Sequence, residues 1–473
     1  MTAGKVLGDL FTFLFLVYFA RIFGIDILGK YAFAMSFGGL FTIFINMGLN
    51  IVMVRDLSQD RHLSAKYMAN LLVTQGVLAI LIWLLIGYFV FAQKFSYDTK
   101  IIIIFMATYH VFYNLTMLVK SEFNAHEEMQ YSAFLEIFHK VIILLLGVAA
   151  ILIWRNSVIT LAVYPLSAFS MFLLGFWISV SRYGRPSSKI EYSFIKNIFK
   201  KAIPFLGIIV LMEFYVRIGI ILLTYFHGER AAGIYAAADR LLFTIATGAH
   251  MLGHAILPTM SRLSAHSKDE FLILFKRAIR LIILVSLPMS TLLFISSRPI
   301  ILIIYGDQFR ESITVLSILS WSVPFFAVNL VLRAFLIVNH QPKIWIKVAG
   351  ITYLVYSLVC IIVIPWYNYL GLAYARLITE IVLFAIIFFY INISNNKIPI
   401  IEICRAPVIS CLISVLVFYL MAEINLWLKI SCSMIVFIMV MFLLKGIKIN
   451  DLLFAKDLLF SNISDTEEGR ISS

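Results

Sequence analysis

Charge is scarce in this chain. Only 13% of its 473 residues are Asp, Glu, Lys or Arg, against about 25% in an ordinary soluble domain, while 62% are apolar. One water-soluble core cannot hide that much apolar surface, so a soluble enzyme is excluded. Cysteine is also sparse: Cys360, Cys404, Cys411 and Cys432 form no CxxC pair and have no His at metal spacing, so they read as packing residues. No metal or cofactor is expected. GxxxxGK[ST], HExxH and GxSxG are all missing, which argues against an ATP-driven pump and leaves no enzyme signature. The net charge of +13 is scattered between apolar runs and makes no basic arm, so nucleic acid is not an expected partner.

What the chain does have is long apolar runs. They are continuous, as in Ile101 to Met106, rather than alternating, which excludes a transmembrane barrel. Runs of about 17 to 25 residues predict about fourteen membrane helices. They cover roughly 6–22, 32–54, 68–92, 101–119, 132–153, 158–180, 203–226, 233–257, 278–296, 312–337, 345–364, 371–391, 404–422 and 426–444. Helices are required because lipid offers backbone groups no other partner. The first run begins at Val6 and reaches Arg21 without a small-residue cleavage site, so no cleavable signal peptide is expected. With the N-terminus inside, about 24 Lys and Arg fall on the cytoplasmic side and about 9 outside. That bias places both termini in the cytoplasm of a multi-pass cell-membrane protein.

The longest polar connector carries Gly184, Pro186 and the basic residues Arg182, Arg185, Lys189, Lys196, Lys200 and Lys201. It reads as a hinge, dividing the chain into an N-lobe (1–180), a basic linker (181–201), a C-lobe (202–392), two further helices (393–446) and a polar cytoplasmic tail (447–473). A repeat supports the division. Gly24, four residues, Gly29, one residue and Tyr31-Ala32 recur as Gly228, four residues, Gly233, one residue and Tyr235-Ala236, at an offset of 204. Six helices separate the copies, and an even number preserves direction, so parallel repeats about an axis along the membrane normal are expected. The fold class is therefore an all-α polytopic membrane protein with two six-helix lobes around a central cavity, plus two C-terminal helices.

Ionisable residues inside spans cost at least about 2.5–3.5 kcal/mol at the centre of a lipid-facing helix, so they must face protein or water. Glu213 and Arg217 share a helix face, as do Arg376 and Glu380, each pair four residues apart. Asp239 and Arg240 follow in the eighth span, with His250 and His254 beyond them. The first half offers Asp9, Arg21, His110 with Asn114, and Glu136 with His139 and Lys140; Asn46 and Asn50 add an uncharged polar face. One reading is a cationic cavity for a pyrophosphate, a task suited to the planar, permanently charged fork of Arg. The other is structural pairing between helices, or anchoring at the interface for Arg21 and Arg333. Asp9 could couple a cation or sit at the interface, and a coupling Na⁺ or H⁺ stays open. Asn114-Leu-Thr116, Asn392-Ile-Ser394 and Asn462-Ile-Ser464 match the glycosylation pattern by chance, given where this topology puts them.

Ala20-Arg21-Ile-Phe-Gly24, Gly29-Lys-Tyr31-Ala and Asn46-Met-Gly48-Leu together resemble the opening of the Wzx-type polysaccharide and oligosaccharide flippases. These belong to the multidrug/oligosaccharidyl-lipid/polysaccharide exporter superfamily. Gly233-Ile-Tyr235-Ala-Ala-Ala-Asp-Arg240 and Leu257-Pro258-Thr-Met-Ser261-Arg262 resemble the same family's second half, and Pro299 with Tyr305-Gly306-Asp-Gln-Phe309 its outer segment. The resemblance implies an exporter that moves a lipid-linked oligosaccharide across the membrane, its phosphates passing through a cationic cavity. By position it implies Arg21, Arg55, Arg217 and Arg240 as cavity residues, foremost Arg217 and Arg240. The pairs noted above add Glu213, Asp239, Arg376 and Glu380. The implied partners are the lipid-linked substrate, membrane lipids and other polysaccharide-assembly proteins. A cation-coupled multidrug antiporter and a membrane glycan transferase or polymerase remain alternatives.

Overall fold

The computed structural model describes residues 2–266, 268–393, 399–421, 425–444 and 446; the side chains of 2–7, 208, 245–259, 261–266 and 268 lie outside that description. His250, His254, Arg262, the Asn462 motif and the tail 447–473 therefore lie outside the described residues or side chains. Apart from two short 3-10 turns, every regular element described is an α-helix. They are α1 (Thr2–Asn46), α2 (Leu49–Gln59), α3 (Ser64–Ala92), α4 (Tyr97–Ala125), α5 (Met129–Trp154), α6 (Ser157–Leu161), α7 (Val163–Tyr183) and α8 (Tyr192–His266). Then follow α9 (Lys268–Ile295), α10 (Ser297–Ile304), α11 (Ser312–Ser320), α12 (Ser322–Val338), α13 (Pro342–Ile393), α14 (Ile400–Leu420) and α15 (Leu426–Leu443).

Among the described residues, eleven helical stretches are long and apolar enough to cross a membrane. Three cannot be single passes. At 1.5 Å per residue, α1, α8 and α13 would be straight rods of about 70, 110 and 80 Å, against a hydrocarbon core of about 30 Å. Each contains a non-helical residue: Gly24 (φ 86°, ψ −178°), Gly228 (φ 79°, ψ −179°) and Asn368 (φ 54°, ψ −140°). With these breaks the eleven stretches become the fourteen passes expected, in an all-α multi-pass membrane protein.

Gly24 and Gly228 are the first glycines of the two repeat copies, and their dihedral angles nearly coincide. The positive φ excludes ordinary side chains, which is why glycine stands at both. The second glycines make a reciprocal contact. A Cβ added at Gly29 would strike the Glu229 carbonyl and the Gly233 backbone, and one added at Gly233 would strike the Ile25 carbonyl. Shifted by 204, Ile25 corresponds to Glu229 and Gly29 to Gly233. Each copy thus presents the same two positions to the other, the signature of a local two-fold.

The described residues fall into two compact units, one within 1–237 and 353–372, the other within 238–352 and 373–446. In the first, α4 packs on α1, α3 and α7, and α1 runs beside α5. Leu49, Met53, Tyr67, Leu118, Phe123, Met171 and Ile198 belong to its buried core. In the second, α14 and α15 pair and pack on α9 around Ala406, Cys411, Phe437 and Met441.

The basic linker is not a free hinge. Lys201 reaches Asp56 at 2.7 Å and Lys66 reaches Glu191 at 2.7 Å, while the Ser187 amide donates to the Ala65 carbonyl. Its second half is already helical, as the start of α8. The linker is docked on the first unit because its charges find partners there. Among the cysteines, Cys360 and Cys411 are buried as expected, but Cys404 and Cys432 are only half-buried.

Candidate functional site

In the first unit α8 carries Glu213 and Arg217 one turn apart, and they bond as their spacing predicts. Arg217 Nε donates to Glu213 Oε2 at 2.6 Å, and Nη1 donates to the Met35 carbonyl of α1 at 3.0 Å. That carbonyl also accepts from the His110 ring at 3.0 Å, so α4 helps position it. The approach requires Gly39, because a Cβ there would collide with the guanidinium. Arg217 and Glu213 side chains are 21% and 36% exposed, so neither is sealed from its surroundings. A guanidinium has five N–H donors. Two are used here, and the remaining three, including both on Nη2, have no hydrogen-bond partner among the described residues.

A second charged cluster joins α1, α4 and α5. Lys140 lies 2.6 Å from Asp9 and 3.4 Å from Glu136, and Lys120 lies 2.7 Å from Glu136. Two carboxylates face two ammonium groups, all four between 12% and 18% exposed. His139 stacks on Tyr109 beside them, with ring centroids 5.7 Å apart. Asp9 had been open between cation coupling and the interface; here it has a fixed ammonium partner.

Further polar groups gather where α2, α3, α4 and α8 meet. Asp56 accepts from Tyr67 at 2.6 Å, from Lys201 at 2.7 Å and from Arg55 Nε at 2.9 Å. Burial pushes the Asp56 carboxyl up, but the bonds from Lys201, Tyr67 and Arg55 outweigh it and hold the group below its usual value. Arg55 is exposed and thus serves Asp56. Glu122, 2% exposed, accepts from Ser64 and Ser179. Sequence reading missed Glu122 because its hydrophilic surroundings looked like a loop, whereas α4 continues to Ala125. It also missed the buried Gln75, which donates to Asn50 at 2.8 Å. Arg21 is exposed on α1, three residues before the Gly24 break.

In the second unit Asp239 lies within electrostatic reach of Arg376 and Arg240. The Arg240 guanidinium sits 5.8 Å from the Phe243 ring centre, and its buried Nε has no hydrogen-bond partner among the described residues. Glu380 accepts from Asn329 of α12 at 3.0 Å, a partner that the spacing to Arg376 does not suggest. Arg333 is exposed, its guanidinium 5.7 Å from the Trp345 ring. Among the described residues no three His, Cys, Asp or Glu side chains are grouped to hold a metal ion.

A family model described as polysaccharide biosynthesis protein matches residues 1–264, more than half of the chain, and the MatE model matches residues 204–363. No curated protein sequence matches. Among solved structures, a lipid II flippase MurJ in an inward closed conformation is 17% identical with a TM-score of 0.78, covering 97% of this chain and 99% of that one. An inward-facing multidrug resistance MATE family transporter is 14% identical with a TM-score of 0.65, covering 82% of this chain and 95% of that one. The MATE multidrug transporter DinF-BH is 14% identical with a TM-score of 0.60, covering 84% of this chain and 94% of that one. At these identities the likeness is one of fold, and the structures in question are transporters and flippases. The chain belongs to the polysaccharide biosynthesis protein family, in the membrane fold of the multidrug and lipid-flippase exporters.

Proposed function

We propose that the protein translocates a polyprenyl-(pyro)phosphate-linked oligosaccharide across the cytoplasmic membrane by alternating access, for cell-surface glycan assembly, with both termini in the cytoplasm. The observation that carries this reading is Arg217: a cation inside a membrane span, held by Glu213 and Met35, with three donors unspent. Charge-assisted bonds from guanidinium to phosphate are among the strongest available. Glu213 holds the fork in the ground state and yields it when a phosphate arrives. Within the second unit, Arg240, whose buried Nε has no hydrogen-bond partner among the described residues, and Arg376 beside Asp239 offer the same phosphate-binding chemistry, and Arg21 and Arg55 are peripheral cations. The carrier's tail stays in lipid, no bond is made or broken, and a coupling Na⁺ or H⁺ stays open.

The rival antiporter reading needs unpaired carboxylates to attract cationic drugs. Asp9 and Glu136 are each matched by a lysine, which weighs against it.

The test is transport of a fluorescent polyprenyl-pyrophosphate disaccharide in proteoliposomes. A charged hydrogen bond is worth about 1.5–3 kcal/mol, so Arg217→Gln is expected to slow translocation by about 10-fold or more, with Arg217→Lys keeping part of the rate. Wild-type transport by Arg217→Gln overturns the reading, and so does a product showing glycan transfer.

A further inference from the structure

A cleft on the first unit points to a ligand that the transport reading does not use. α1 and α5 run side by side in the same direction and in register. Asp9 meets Lys140, and a Cβ added at Gly147 would strike the Phe15 ring. Past that contact, residues of the two helices line a cavity of roughly 380 Å³: Tyr18, Ile22, Phe23, Ile151, Leu152 and Arg155. The volume falls within the range of about 300–1,000 Å³ typical of small-molecule sites.

Its chemistry is graded along the helix axes. Tyr18 and Ile151 lie deepest, Ile22 and Leu152 come next, and Phe23 and Arg155 stand at the mouth. Ile22 is 43% exposed and Leu152 65%, so the walls open sideways onto the surface that faces lipid. Arg155 follows Trp154, the last residue of the α5 span, and so sits at headgroup depth. It caps α5 in a left-handed conformation (φ 45°), its amide bonded to Ile151. Among the described residues its guanidinium has no hydrogen-bond or ion-pair partner, unlike those of Arg182 and Arg217. No acidic residue lines the cleft.

We propose that this cleft seats one anionic phospholipid, its phosphate on Arg155 and the upper methylenes of one acyl chain against Ile22, Ile151 and Leu152. Apolar walls and a cation at interface depth match a lipid's polarity gradient; a single cation, Arg155, balances the one negative charge of a phosphodiester rather than the larger charge of a carrier pyrophosphate, and the absence of a carboxylate from the lining leaves nothing for an ethanolamine ammonium. On the proposed topology the lipid belongs to the outer leaflet. It abuts Phe23, whose neighbour Gly24 breaks α1, so an occupied cleft braces the segment leading into that break.

The test is native mass spectrometry of the full chain, released from detergent after exchange into phosphatidylglycerol, phosphatidylethanolamine or polyprenyl phosphate. Wild type is expected to keep one phosphatidylglycerol, and the other two lipids to be lost at the same activation energy. Arg155→Asn, which tolerates the left-handed conformation, and Leu152→Trp, which fills the cleft, are each expected to lower occupancy at least tenfold. Arg155→Lys is expected to keep most of it. Melting temperatures within a degree or two of wild type, with the lipid removed from all samples, show the variants folded. Undiminished retention by both Arg155→Asn and Leu152→Trp overturns the proposal, and so does tighter retention of polyprenyl phosphate or phosphatidylethanolamine.

Discussion

Lys140 and Arg217 are both cations inside membrane spans of the first unit, yet their surroundings differ. Lys140 is enclosed by Asp9 and Glu136, and Lys120 completes a neutral group of four that ties α1, α4 and α5 together. Arg217 has one carboxylate from its own helix, one backbone carbonyl and three N–H groups without a described partner. In the group of four every charge touches an opposite charge, leaving only Asp9 Oδ2 without a hydrogen bond among the described residues, and such a group fixes helices; a cation with three unspent donors can change partners. The contrast separates structural from functional charge better than burial alone, since Arg217 at 21% exposure is nearly as enclosed as Glu136 at 18%.

The contrast breaks first if Lys140 proves dispensable. Lys140→Met leaves two mostly buried carboxylates with one ammonium, and breaking such a pair costs about 3–5 kcal/mol. Thermal unfolding in detergent is expected to show a large loss of stability or no folded protein. Next in size is the crossing of the repeat copies. Gly29→Ala places a Cβ on the Glu229 carbonyl, an overpacking expected to cost about 1–3 kcal/mol in the same assay. Glu213→Gln is expected to cost less than about 1 kcal/mol, because its pair with Arg217 is partly exposed. Equal losses for Lys140→Met and Glu213→Gln would erase the distinction drawn here.

The smallest effect is on pH dependence. The depressed pKa of Asp56 means that its carboxylate stabilises the folded state above the unfolded value of about 3.9. That contribution is complete above the unfolded value and is lost as pH falls from that value through the lower folded one. Because Lys201 is 40% exposed, the effect is expected to be a few tenths of a kcal/mol. Melting temperatures of wild type and Asp56→Asn between pH 7 and pH 3 should converge at the acid end.

Much of this was legible in the sequence for physical reasons. Spans are written in composition, because lipid demands about 20 apolar residues wherever a helix crosses. The breaks at Gly24 and Gly228 were marked by a repeated glycine pattern, since a positive φ leaves little other choice. The Glu213–Arg217 pair could be read from its spacing, because helical geometry brings i and i+4 together. Asp9 and Lys140 could not be paired that way, being 131 residues apart in different helices, and neither could Asn329 and Glu380. Glu122 was hidden by its polar sequence neighbours, and the partners that let it fold inward, Ser64 and Ser179, come from other helices that its own segment does not announce.

Whether Arg217 receives phosphate is decided most directly by the affinity of the purified protein for a short-chain prenyl pyrophosphate, compared among wild type, Arg217→Gln and Gly39→Ala. The account predicts at least a tenfold loss in both variants, the second because a methyl group at position 39 displaces the guanidinium while leaving its charge in place. Unchanged affinity in Arg217→Gln would contradict it.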